Sequence, residues 1–186
     1  MILNLIILVA LVWAFMVGYS RGLILQVIYS FGTIIAAFIA ASNYKELAQK
    51  LSIWVPFSNA TENSHLLLFS DKLLFQLDDA IYESISFLAI FIVVYAIIRL
   101  IGLFLHFALS PLGRNGKIIA GILGFAATYF GLQMVLMVLS LVPIAAVQSQ
   151  LDASFLARFM VLYTPISSGI LQNLFIENIV HINPLG

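Results

Sequence analysis

Arg99 is the residue in this chain that most demands a chemical reason. It stands inside the apolar run Ile85–Phe107, where a charge costs roughly 2.5–3.5 kcal/mol on insertion scales. Tyr95, Gly102 and His106 fall at i−4, i+3 and i+7 from it, so all four share one helical face. Such a face can line a polar path or hold an anionic group. A plainer reading stands beside it. Arg99 is about ten residues from Leu109, roughly 15 Å of helix, and snorkelling covers part of that distance. His106 is near enough to the same end to be solvated. Arg21-Gly22 is the second candidate, as a cytoplasmic contact site or lipid-headgroup anchor. Its plainer reading is a turn glycine beside a topology-setting charge.

Other chemistry finds little support. His65, Asp71, Asp78 and Asp79 are metal-ligand types, but their spacing matches no ligand pattern, and a solvated loop accounts for them. There is no nucleophile elbow, P-loop or dinucleotide fingerprint. The chain has no cysteine, which excludes disulfides, thiolate metal sites, iron–sulfur clusters and a cysteine nucleophile. No cofactor is implied. The formal net charge of +0 gives no basic field for nucleic acid. The residues read as those of a non-enzyme.

The elements that position Arg99 and Arg21 are long apolar segments. Hydrophobic residues make up 63% and charged residues 9% of the chain, against about 25% charged in a soluble domain. That gap places about half of the chain in lipid. Spans are predicted over residues 1–18, 23–41, 83–109 and 117–142, each near the roughly 20 residues that cross hydrocarbon. The first has no basic n-region and no A-x-A ending, so it reads as a retained helix and not a cleaved signal. The fold class is all-α: a polytopic membrane protein, one membrane domain over 1–186. Four transmembrane helices are joined by interfacial amphipathic helices in the long loop and the C-terminal tail.

Gly18-Tyr19-Ser20-Arg21-Gly22 is a short turn, which predicts a tight antiparallel hairpin of the first two helices. Gly32, Ala36 and Ala40 recur every four residues, as do Ala120, Gly124 and Thr128, with Ala127 and Gly131 on the adjacent line. Small faces let helix backbones approach closely in lipid, and the second set is expected at the bundle's centre. Pro143 ends or kinks the fourth helix. In the outer loop, 42–80, residues Leu66, Leu67, Phe69, Leu73, Leu74 and Leu77 suit a short interfacial helix. Trp54 suits an interfacial anchor, and Asp78 and Asp79 suit a helix N-terminus. The tail, 145–186, reads as amphipathic surface helices, with Asp152 capping one over 153–163 and Thr164-Pro165 opening another over 165–179.

Arg21, Arg114 and Lys117 occupy the two short loops, which hold no acid, while the long loop carries three lysines and five acids. The density of basic residues beside the spans favours short loops in the cytoplasm and both termini outside. The bilayer is the obvious partner. The small-residue faces suit a homo-oligomer or other membrane proteins.

Several stretches resemble the colicin V production (CvpA) family of small bacterial inner-membrane proteins. One is the Arg-Gly pair after the first span, Gly18-Tyr19-Ser20-Arg21-Gly22-Leu23-Ile24-Leu25-Gln26. Another is the Gly-rich start of the last span, Gly121-Ile122-Leu123-Gly124-Phe125. Leu47–Pro56, Leu141–Gln148 and Tyr163-Thr164-Pro165-Ile166 are similar to the Gram-positive branch. The chain departs from the family at one place. Many members carry Asp-Arg before the last span and Arg-Gly within it, where this chain has Asn115-Gly116-Lys117 and Thr128-Tyr129. The resemblance implies a non-enzymatic multi-pass protein of the bacterial cytoplasmic membrane, supporting bacteriocin or toxin production and export and envelope homeostasis. It implies no catalytic residue. A small oligomeric channel or transporter, with Arg99 and His106 lining the path, is the alternative.

Overall fold

The four apolar runs become four long helices in the computed structural model. It describes residues 2–55, 66–69, 77–109 and 116–174, with side chains for all of these but 105–109. The helices are α1 (Ile2–Arg21), α2 (Leu23–Trp54), α3 (Leu77–Leu109) and α4 (Lys117–Leu141). All four contain stretches long and apolar enough to cross a membrane. The described residues include no strand.

α2 and α3, with 32 and 33 residues, are longer than hydrocarbon requires. The excess lies where the C-terminal part of α2 meets the start of α3. Lys45, Glu46, Gln49 and Lys50 ride its exposed faces, while Tyr44 and Ala48 stay buried. The Lys50–Glu46 pair, at 2.6 Å, is open to solvent and contributes little. The outer loop is thus shorter than expected, since residues 42–54 belong to α2 and 77–80 to α3. Asp78 and Asp79 lie in the first turn of α3, and Trp54 is exposed at the end of α2. Residues 66–69 form a bend, and the rest of the expected amphipathic helix before Leu77 lies outside the described residues. Leu66, Leu68 and Phe69 enter the core. Leu73, Leu74, His65 and Asp71 lie outside the described residues.

A single residue, Gly22, turns α1 into α2 with φ 87, a conformation open mainly to glycine. The two helices do not then pack as the expected tight hairpin. α1 lies along α4 and α2 along α3, because that is where the small residues meet. A Cβ on Gly18 would strike the Ala120 carbonyl, and one on Gly124 would lie 2.8 Å from the Ala14 carbonyl oxygen. The α1 and α4 backbones therefore touch. On the other seam Gly32 receives Ile98, and Ala36 and Ala40 are fully buried. Gly131 has nothing within 4 Å of a Cβ position, so it lies at no close approach.

Beyond Pro143 the tail continues as α5 (Ala145–Asp152), α6 (Phe155–Arg158), a π-helical turn (Phe159–Tyr163) and α7 (Ser167–Gln172). It is helical, with one face packed on the bundle and the other exposed at Phe155, Tyr163, Ile166 and Ile170. Leu151, Ala157, Met160, Val161 and Leu171 are at most 1% exposed. Ser154 bonds Asn4 Oδ1 beside the start of α1. The chain then runs back along α4. Gln133 Nε2 donates to the Met160 carbonyl at 2.6 Å, and the Tyr129 and Thr164 hydroxyls lie 2.6 Å apart. Tyr129 is about twelve residues, roughly 18 Å, from the end of α4, so Thr164 reaches the middle of that span. α7 leads back, with Gln172 Nε2 bonded to the Val161 carbonyl at 2.9 Å. The described tail is a helical hairpin packed along α4, and these bonds satisfy the carbonyls of Met160 and Val161.

Two expected caps are replaced. α6 is capped by Ser154, whose Oγ accepts from the Ala157 N–H at 3.1 Å. Asp152 instead ends α5 and faces Arg158 at 3.7 Å. Thr164 turns its hydroxyl back to the Met160 carbonyl at 3.1 Å, and α7 begins at Ser167. At the hairpin tip Ile166 has φ 71 and ψ −59, and Ser167 N–H bonds the Pro165 carbonyl at 2.8 Å. This is the rare, strained hand of γ-turn. Ile166→Gly is expected to raise stability by about 1 kcal/mol, read as a higher unfolding temperature in detergent. An unchanged or lower temperature would show that the turn stores no strain.

Candidate anion cavity

Because α1 leans on α4 and away from α2, a cavity of about 290 Å³ opens between the spans near the Gly22 turn. Arg21 from the end of α1 and Arg99 from α3 both line it, as do Gln26 and Tyr95. The two guanidinium carbons lie 5.1 and 4.9 Å from the centroid of one ring, Tyr29. Arg99 also lies 5.7 Å from the Tyr95 ring, one turn back along its own helix. Arg99 thus lies over both the Tyr29 and the Tyr95 rings. The faces of electron-rich rings attract such cations.

Local sequence explains the convergence. Gly102 lacks the Cβ that would strike the Tyr29 ring, so that ring lies flat against α3 close to Arg99. Tyr29 is two turns into α2, about 9 Å from its start. Gly22 makes α1 end where α2 begins, which brings Arg21 within reach of Tyr29. Gly116, at φ 81, packs against Leu23, so the second short turn lies beside the first. Lys117 there stacks on Tyr19, 5.5 Å from its centroid.

Among the described residues no acid is paired with either arginine. Residues 1–45 and 84–151 contain no Asp or Glu at all, and the described ion pairs lie elsewhere. Gln26 is 3% exposed, and its Oε1 has no hydrogen-bond partner. The start of α2 carries no side-chain cap, so its positive end adds to the field. The arrangement suits an anion.

The residues singled out in the sequence divide as follows. Arg21, Arg99, Gly124 and Thr128 line the one cavity, and Gly22 makes its turn. Gly32 and Ala36 form the α2–α3 seam, and Ala120 joins Gly124 at the α1–α4 seam. His106 belongs to α3, but its side chain lies outside the described residues. Sequence reasoning missed Tyr29 as the shared platform and gave Gln26 no role, though a glutamine just inside an apolar span was a signal. A larger cavity, about 550 Å³, lies under α7 against Ala37, Phe87 and Phe130; its mostly apolar wall offers little for chemistry. Among the described residues no group of three or more His, Cys, Asp or Glu is placed to hold a metal.

Residues 3–165 match the family described as "Colicin V production protein". The chain belongs to this family. A family relative in Bacillus subtilis (strain 168), the uncharacterized transmembrane protein YshB, is 31% identical over 177 residues, covering 94% of this chain and 98% of its own. No solved structure matches the chain. Within this family the chain is a membrane protein with four span-length helices, and its arginine cavity is a feature of its own geometry.

Proposed function

We propose that this family member is a non-catalytic accessory protein of the bacterial cytoplasmic membrane. It supports bacteriocin or toxin production and export, together with envelope homeostasis, and works through the cavity of Arg21 and Arg99. Both termini lie outside, with the acid-free end in the cytoplasm. One observation carries the reading: two arginines converge on Tyr29, and among the described residues no acid pairs with either. Charges placed so within spans mark sites of function by default. The alternative, a small oligomeric channel or transporter with Arg99 and His106 lining the path, would need several copies, because packing closes the path through one. Met134, Met137 and Leu141 fill the bundle beyond the cavity at no more than 1% exposure.

A deletion strain carrying this chain or its Arg99→Gln variant tests the proposal, with a peptide bacteriocin measured inside and outside the cells beside a permeability dye. The native chain should restore secretion, and the variant should leave peptide inside. Secretion restored equally by both would remove the cavity from the function. Normal secretion with raised dye uptake would confine the role to the envelope.

A further inference from the structure

We infer that the cavity binds a phosphate-bearing anion that also carries a hydroxyl. The inference rests on the reading of this cavity as the working site, and it names the ligand chemistry. Two guanidinium groups offer a fork of N–H donors, the geometry that matches phosphate oxygens best. A carboxylate in the protein would compete for them, and none lies in the neighbouring chain segments. A buried acceptor without a donor is costly, and Gln26 Oε1 is such an acceptor in the same cavity. Phosphate oxygens alone would leave it unsatisfied. An O–H on the ligand, from a monoester phosphate or from a headgroup alcohol, would complete it.

Size and access agree. At about 290 Å³ the cavity is at the lower end for small-molecule sites, about 300–1,000 Å³. That admits one headgroup without its chains. Trp13, on the wall of the cavity, is 68% exposed, so the cavity borders the lipid-facing surface of α1. The same chemistry is offered by an anionic lipid headgroup with a free hydroxyl and by free hydrogen phosphate.

Full-length protein in neutral detergent separates the sources. Its unfolding temperature would be followed with phosphatidylglycerol, with phosphatidylcholine, and with inorganic phosphate. Stabilisation by phosphatidylglycerol alone supports the inference with a lipid headgroup as the source. Stabilisation by inorganic phosphate, with the two lipids equal, supports it with free phosphate. No response to either anion overturns it. Arg99→Gln should weaken the effective anion by about tenfold or more, and Lys117→Gln, outside the cavity, should leave binding within about twofold. Equal loss in both variants would reveal a diffuse basic surface and overturn the inference. Gln26→Leu removes the lone acceptor without changing charge, so it tests the hydroxyl even if the arginine variant fails to fold. Binding that survives Gln26→Leu unchanged would overturn the hydroxyl requirement. Binding is read on purified protein and secretion in cells, so a chain that binds the anion yet exports normally as Arg99→Gln would sink the proposed function and leave this inference standing.

Discussion

Gly18→Ala is expected to destabilise the protein by about 2–3 kcal/mol, and Gly131→Ala to leave it unchanged or slightly more stable. The two substitutions add the same methyl to a span. At Gly18 the new Cβ meets the Ala120 carbonyl and approaches Gly121 Cα at 3.2 Å. Backbone cannot rotate away as a side chain does, so α1 must shift off α4, and overpacking of this kind costs about 1–3 kcal/mol. α1 has little else to hold it, since its other face is exposed from Leu5 through Val9 to Met16. At Gly131 a Cβ meets nothing within 4 Å, and replacing a mid-helix glycine gains roughly 0.5–1 kcal/mol. Thermal unfolding of both variants in one detergent checks the pair. Equal behaviour would mean that α1 and α4 do not touch through Gly18.

Gln148→Leu should cost about 2–4 kcal/mol, although leucine fits the space. Gln148 is 2% exposed. Its Nε2 donates to the carbonyls of Ser140 and Val142, each at 2.9 Å. Its Oε1 accepts from the Leu67 N–H at 3.1 Å. One side chain thus closes the end of α4, anchors α5 and ties down the segment 66–69. Val142 O keeps a second donor in the Ile144 N–H. The buried Ser140 carbonyl loses this partner, at about 1–3 kcal/mol for a buried group left unsatisfied, and the Leu67 N–H, on a half-exposed residue, loses a part-buried bond of about 1 kcal/mol. Gln150→Leu, two residues on and exposed, should change stability by less than about 0.5 kcal/mol. Comparable losses in both would show that Gln148 holds nothing special.

The spans were legible because hydrocarbon imposes a length and a composition that few soluble helices meet. Their true ends were not. Lys45–Leu51 has helical content in sequence but reads as part of the loop, yet the four-residue rhythm of Gly32, Ala36 and Ala40 continues through Tyr44 and Ala48, all buried. Polar residues were simply placed on the outer faces of a helix that had left the lipid. The tail reads as amphipathic helices, and one of its faces is exposed, but the partners of its glutamines were not visible in sequence: Gln148 bonds Leu67 as well as Ser140 and Val142, and Gln172 bonds Val161. Arg99 was visible as an anomaly from its neighbours alone. Its meeting with Arg21 was not, because it depends on α1 choosing α4 over α2, a choice made by glycines that align only in three dimensions.

The tail depends on the bundle for its hydrogen-bond partners. α1 to α4 enter lipid on their own hydropathy, each complete in its backbone hydrogen bonds. The tail has no such independence. Around Thr164 its backbone is broken, and Met160, Ser154 and Thr164 find their partners on Gln133, Asn4 and Tyr129. Gln133 and Tyr129 stand on α4 alone, and Asn4 reaches Ser154 only once α1 has seated on α4. The hairpin is expected to close after that template has formed and to open first when it loosens. In a cell its accessibility to proteases would report whether the bundle beneath it had ever closed.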